Sequence, residues 1–261
     1  MAQARGDDVR RDHYLQKAQE ENPKAELALT LIQTQLQIEQ GQYDSALGRL
    51  ESVYALNPRH PMVLDQLRQV YLARQDWAAL IDLAPALRKV GKLTPQQEED
   101  LLHQAWTGRL EAAGEALETL RPVWQELPRK LRQDPVLLAS YGDRLRQLGA
   151  DGEAAELWLE ALRKQPAPEL FARLPRLKLD DYQPMLTLLQ KLQDQPGAEA
   201  ALAQVYLLAG QLDEAQRLLE QEVKRAPSAA VCHALGQLMD KRRLTNKANE
   251  YYRQALALAG I

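Results

Sequence analysis

Three short breaks dictate most of what this chain can become: EQGQYD at 39–44, LGADGE at 148–153 and LAGQLD at 208–213. Each places a Gly where one helix would stop and an acidic residue where the next would open. Around them the apolar residues recur at helical spacing. Leu27, Leu31 and Ile38 form one stripe; Leu64, Leu67, Val70 and Tyr71 a second; Leu202, Val205 and Tyr206 a third. Two amphipathic helices joined by so short a break must pack as antiparallel neighbours. Composition points the same way. Ala, Leu, Gln, Glu and Arg dominate, aromatics are 5% and there is one Phe. These are helix formers, whereas a sheet would need β-branched residues. With 261 residues, 45% of them hydrophobic, the chain can bury a large core without disulfides or metal. The expected class is all-α.

The hairpins repeat. In the 34-residue tetratricopeptide pattern, helix A carries a large residue and then Leu-Gly. Gly follows near the turn, Ala and a large residue lie on helix B, and Pro stands at the exit. Residues 135–168 supply Tyr141, Gly142, Gly149, Ala154, Trp158, Ala161 and Pro166. Residues 196–228 supply Leu202, Tyr206, Gly210, Ala215, Leu219 and Pro227, and 229–261 supply Leu235, Gly236, Ala248, Tyr252 and Ala255. Residues 27–60 give Gly41, Tyr43, Ala46, Leu50 and Pro58. The small residues let helices approach closely, the large ones fill the groove of the neighbour, and Pro ends the unit. Residues 61–134 read as two degenerate hairpins, with stripes at Trp77, Leu80 and Leu83 and at Leu101, Leu102, Ala105 and Trp106. Residues 169–195 are shorter than a repeat and read as a short helix with an irregular turn. Residues 1–26 carry Gly6, Leu15, Ala18 and Pro23 in the order of the back half of a repeat. Their helix A would then lie before Met1, making the chain a fragment cut inside a repeat; the alternative is a lone N-terminal capping helix. The expected architecture over 1–261 is a single tetratricopeptide-repeat solenoid, a right-handed superhelix of antiparallel hairpins.

Several function classes are disfavoured. Lys plus Arg is 33 against 36 for Asp plus Glu, a net charge of −3, without the basic excess of a nucleic-acid binder. Cys232 is the single cysteine, so no intrachain disulfide forms, which suits a reducing compartment. No run of about 18 apolar residues is present, and MAQARGDDVRRDHYL lacks the apolar stretch of a secretory signal. HExxH, CxxC, GxxxxGK and GxSxG are all missing. The four serines, at 45, 52, 140 and 228, have no nucleophile context. The chain reads as non-catalytic.

Beyond the repeat class, a co-linear set of strings resembles one family. NPRHP (57–61) is followed by Tyr71, Trp77 and Leu83-Ala84-Pro85, then HQAW (103–106) and LPRLK (174–178). In that order they are similar to the C-terminal region of HemY-type proteins of proteobacteria, over roughly 1–255. The flavin-dependent oxidase that shares the name is a different protein, and no GxGxxG follows a strand here. The resemblance implies tetratricopeptide proteins linked to late haem biosynthesis. It also implies an N-terminal membrane hairpin ahead of the repeats, and a repeat region held at the inner membrane on its cytoplasmic face. It carries over no catalytic residues, because the family has none established.

Candidate site residues follow from repeat position and from haem chemistry. Helix A lines the concave face in this architecture, which places Gln35, Gln69, Asp143, Gln204 and Gln237 in a groove. Amides there can pair with the backbone of a bound peptide or helix, or merely keep the groove wet. The Lys and Asn that clamp chaperone tails in other such domains are absent. For a haem partner, His233 and His60 are axial-ligand candidates, with Arg173 and Arg176 for the propionates. The plainer alternatives are a buried Cys232 beside a groove-lining His233, and an NPRHP string that ends one helix and caps the next. His103 beside Trp106 reads as core-edge packing. Among the basic clusters Arg129-Lys130-Arg132, Arg173-Arg176-Lys178 and Lys241-Arg242-Arg243, the second stands out because its segment is irregular. Any of them can equally be a solvated face. Three readings follow: a scaffold for late haem-pathway enzymes, a module that hands haem or porphyrin between enzymes, and a tethered assembly, secretion or peptidoglycan factor.

Overall fold

The computed structural model describes residues 23–260. Most of the segment read as the back half of a repeat, 1–22, lies outside the described residues. Among the described residues there are fourteen α-helices and no strand, so the chain is all-α. The helices fall into two compact units divided after Ala112. The division falls within the degenerate stretch 61–134.

The first unit holds α1 (Pro23–Glu39), α2 (Tyr43–Leu56), α3 (Pro61–Arg74), α4 (Trp77–Lys89) and α5 (Pro95–Glu111). Each helix packs on the next, and α1 also packs on α3. That pattern, in which an A helix touches its own B helix and the following A helix, is the tetratricopeptide arrangement. Pro61 and Pro95 open their helices at the first turn, where the missing N–H costs nothing. Thr94 adds a capping box with Gln97. Gln75, in the α3–α4 turn, takes the left-handed conformation that Gly149 and Gly210 take in the equivalent turns of the second unit. The degenerate look of this hairpin is thus partly a non-glycine residue doing a glycine's job, at a cost of about 1–2 kcal/mol.

The second unit holds α6 (Leu117–Glu126), α7 (Pro135–Gln147), α8 (Asp151–Lys164), α9 (Pro168–Phe171), α10 (Gln183–Lys191), α11 (Ala198–Leu208), α12 (Leu212–Arg225), α13 (Ala229–Lys241) and α14 (Thr245–Ala259). The hairpins α7–α8, α11–α12 and α13–α14 pack internally, and α11 packs on α13. Gly142 on α7 faces Trp158 on α8, and Gly236 on α13 faces Tyr252 on α14, at the same sixteen-residue separation. A Cβ on Gly142 would lie 2.5 Å from Trp158 Cζ2, and one on Gly236 2.6 Å from Tyr252 Cδ1. Glycine is required there by close approach, because the helix backbone itself sits against the ring.

The segment 169–195 holds more order than one short helix and a turn. After α9 and a 3-10 turn at Leu174–Arg176 comes the nine-residue α10. Leu170, Phe171, Leu174, Met185, Leu186 and Leu189 are all buried. The Asp151 carboxylate accepts the Lys178 N–H at 2.9 Å, and the Tyr182 hydroxyl donates to the Leu177 carbonyl at 3.0 Å. Two short helices and a 3-10 turn, tied to the start of α8, therefore fill the gap between two regular hairpins. No helix among the described residues is long and apolar enough to cross a membrane.

Candidate functional site

The expected groove residues occur on A helices in both units, but they are not a uniform row of amides. In the first unit Gln35 donates to Glu39 at 3.1 Å and accepts from Gln66 at 3.3 Å. Gln69 donates to Asp65 at 3.5 Å. In the second unit Gln204 is half-buried and Gln237 is exposed. Asp143 is engaged: it accepts from Arg173 Nε at 2.7 Å and lies 3.8 Å from Arg146 Nε. Asp143 and Arg173 thus hold α7 to the segment after α9, and Arg173 also donates to the Glu169 carbonyl at 2.7 Å. A guanidinium spent on these two acceptors is a structural tie. Arg176 stands exposed in the 3-10 turn.

The two candidate haem-ligating histidines sit differently. His233 is exposed on α13, its ring tilted against Tyr252 at 5.4 Å between centroids and its Nε2 3.1 Å from Gln237 Nε2. Its neighbour Cys232 is buried. Tyr252 donates to Asp240 at 2.7 Å, and partial burial, reinforced by that bond, pushes its hydroxyl up to about 12. Around His233 lies a polar surface strip of Gln237, Tyr252 and Asp240. His60 is half-buried before Pro61. It occupies the N-cap position of α3, but its side chain makes no cap bond, and its Nδ1 is buried without a partner. Pro61, rather than the imidazole, sets this helix start.

Two features escaped the sequence reading. The first is a buried polar knot in the first unit, where Thr34 and Gln66 are 0% and 1% exposed. The Thr34 hydroxyl lies 2.7 Å from Gln66 Oε1, and Gln66 Nε2 donates to the Leu31 carbonyl at 2.9 Å. It stitches α1 to α3, and the signal was an amide set inside the apolar stripe Leu64–Leu67. The second is a half-open cleft of about 470 Å³ in the second unit. It lies between α6, the 127–134 connection, the start of α7, the end of α8 and α9.

The cleft is built from a fixed frame. Trp124 stacks flat on Tyr141, with centroids 4.3 Å apart and planes 2° apart, and Arg121 donates to Glu153 at 2.5 Å. These contacts lock α6 to α7 and α8. Burial raises the Tyr141 hydroxyl above its ordinary range, with Glu153 adding to the effect. Apolar lining comes from Trp124, Leu138, Leu157, Ala161 and Leu170, and cations from Arg129, Arg132 and Lys164. Glu160 is the one carboxylate of the lining. Lys164 donates to it at 2.6 Å, and that bond holds it below the usual carboxylate range. The structure therefore draws two members of the first basic cluster, Arg129 and Arg132, to a shaped site. The second cluster, favoured from sequence, loses Arg173 to Asp143. No His, Cys, Met or Tyr lines the cleft, so it offers no axial donor for a haem iron.

No family model matches the chain. It is similar to Protein HemY of Escherichia coli strain K12, with 25% identity over 263 aligned positions, 98% of this chain and 66% of that protein. Protein HemY of Escherichia coli O157:H7 and of Shigella flexneri match with the same figures. The resemblance to HemY-type proteins read from the short strings is thereby extended along nearly the whole chain. The chain itself spans just under two thirds of the length of those relatives. Among solved structures, a tetratricopeptide repeat protein from Parabacteroides merdae aligns over 98% of this chain and 89% of its own, at 13% identity and a TM-score of 0.34.

Proposed function

We propose that the chain is the repeat region of a membrane-tethered, non-catalytic scaffold that organises protein partners in late haem biosynthesis. One observation carries the scaffold part: regular hairpins bury their apolar faces and leave polar side chains on successive A helices, Gln69 in one unit and Gln204 and Gln237 in the other. Solenoids use such faces to bind protein segments. The haem-pathway part rests on the similarity to Protein HemY over 98% of the chain. The inner-membrane placement comes from the same likeness.

The test is crosslinking of the full-length parent in its own membranes, with Gln204→Arg and Gln237→Arg in parallel. The expected result is recovery of haem-pathway enzymes by the parent and their loss from the variants. A partner set without such enzymes replaces this reading with a tethered assembly or secretion factor. A haemin titration of the purified chain decides the remaining alternative. The scaffold reading expects no Soret shift that His60→Ala or His233→Ala removes. A saturable one-to-one shift abolished by either substitution makes the chain a tetrapyrrole carrier.

A further inference from the structure

The cleft between α6, the start of α7, α8 and α9 takes none of its lining from Gln69, Gln204 or Gln237, and the scaffold reading does not use it. We propose that it is a second docking surface, which takes an acidic segment of a partner protein by one bulky apolar side chain. The inference deepens the scaffold reading and rests on it.

The chemistry of the lining sets the occupant. The apolar lining of Trp124, Leu138 and Leu170 rewards an apolar group, at about 25 cal/mol per Å² removed from water. Arg129, Arg132 and Lys164 bring three positive charges, of which the Lys164–Glu160 pair answers one. Two remain uncompensated on a chain whose net charge is −3, so the cleft is a local reversal of the protein's overall sign. Charge complementarity then calls for carboxylates beside the apolar group. The Arg132 Nε is buried without a partner, which leaves a donor that a carboxylate can satisfy.

Shape favours a segment over an engulfed small molecule. The volume, about 470 Å³, lies in the range of small-ligand sites, but such sites bury most of the ligand, whereas this one is half open. A half-open cleft suits a side chain that inserts while its backbone continues past the rim on both sides. The site is preformed, because Trp124 is held by Tyr141 and α6 by the Arg121–Glu153 pair. Little ordering is left to oppose binding.

The experiment is selection of phage-displayed random dodecapeptides on the intact 261-residue chain. Binding is then measured to the Arg129→Glu/Arg132→Glu double variant, to Ala161→Phe and to Gln204→Arg/Gln237→Arg, each checked for native circular dichroism. The expected winners carry Asp or Glu flanking Trp, Phe or Leu. They weaken on the order of tenfold or more on the charge-reversed variant, weaken equally on the variant that fills the cleft, and bind more weakly as salt rises. Winners that ignore both cleft variants but fail on the groove variant overturn this proposal and leave the scaffold reading standing. Failure to select any peptide overturns both. Decanoate or 1-anilinonaphthalene-8-sulfonate binding one-to-one and lost in Ala161→Phe, without any cleft-dependent peptide, makes the cleft a small-molecule site and also overturns it.

Discussion

Adding one methyl group at Gly142 tests the packing logic of the second unit more sharply than any truncation. A Cβ there would overlap Trp158, 2.5 Å from Cζ2 and closer still to two other ring atoms. The ring has nowhere to retreat. It is 0% exposed, and its Nε1 donates to the Leu138 carbonyl at 2.8 Å. Shifting it strains that bond, and a buried N–H left unpaired costs about 1–3 kcal/mol. Overpacking itself costs about 1–3 kcal/mol. Against this, Ala is favoured over Gly inside a helix by about 1 kcal/mol. The net expectation for Gly142→Ala is a loss of roughly 1–5 kcal/mol, or a fall in Tm of about 2–20 °C for a unit of this size. Gly48, inside α2, supplies the control, because nothing lies within 4 Å of its virtual Cβ. Gly48→Ala should stabilise by up to about 1 kcal/mol. Urea unfolding followed by far-ultraviolet circular dichroism and tryptophan fluorescence reads both. The decisive arm is a double-mutant cycle with Trp158→Leu, which removes all three overlapping atoms. On that background Gly142→Ala should become neutral or stabilising. If it costs as much there as in the parent chain, close approach to the ring is not why position 142 is glycine.

Three further outcomes follow from other sites. Thr34→Val should cost about 1–3 kcal/mol by leaving Gln66 Oε1 buried without its donor, whereas Thr34→Val with Gln66→Leu should cost less than the sum of the singles; urea midpoints measure both. The raised hydroxyl of Tyr252 makes its neutral form the folded one. Its contribution is complete below pH 10 and is lost as pH rises from 10 towards 12, so tyrosinate absorbance at 295 nm should show a late step that Tyr252→Phe removes. Arg243→Gly should leave stability level or raise it by up to about 1 kcal/mol, because Arg243 holds a left-handed turn, φ 61°, that glycine adopts freely; a thermal melt that falls by several degrees would refute that.

The fold was legible because its rules are local. Helix breaks at Gly41, Gly149 and Gly210 are punctuation that a chain cannot ignore, and a tight turn leaves a second helix little choice but to fold back on the first. The large–small pairs Gly142–Trp158 and Gly236–Tyr252 then fix the register of each hairpin. Legibility declined where the same geometry is reached by other residues. Gln75 turns the α3–α4 hairpin without glycine, so a pattern keyed to glycine undercounts it. The stretch 169–195 satisfies its core with two short helices and a 3-10 turn whose ties, Lys178 N–H to Asp151 and Tyr182 to Leu177, join residues that no period relates.

The candidate sites were harder to read for a different reason: a side chain's availability is decided by its partners, which lie about thirty residues away. Arg173 and Arg129 look equivalent as members of basic clusters. Arg173 meets Asp143 of the preceding hairpin and becomes a strut, while Arg129 meets the apolar walls of a cleft and keeps its charge for a visitor. Asp143 shows the converse, since its place in the helix-A series marked it for the groove and its neighbour Arg173 withdrew it. Repeat position therefore predicts which face a residue occupies, and the long-range ion pairs decide whether it is spent there. By that criterion Gln204 and Gln237 remain the helix-A residues to mutate for partner binding in this unit, and Arg129 with Arg132 the pair to mutate for a second, acidic contact.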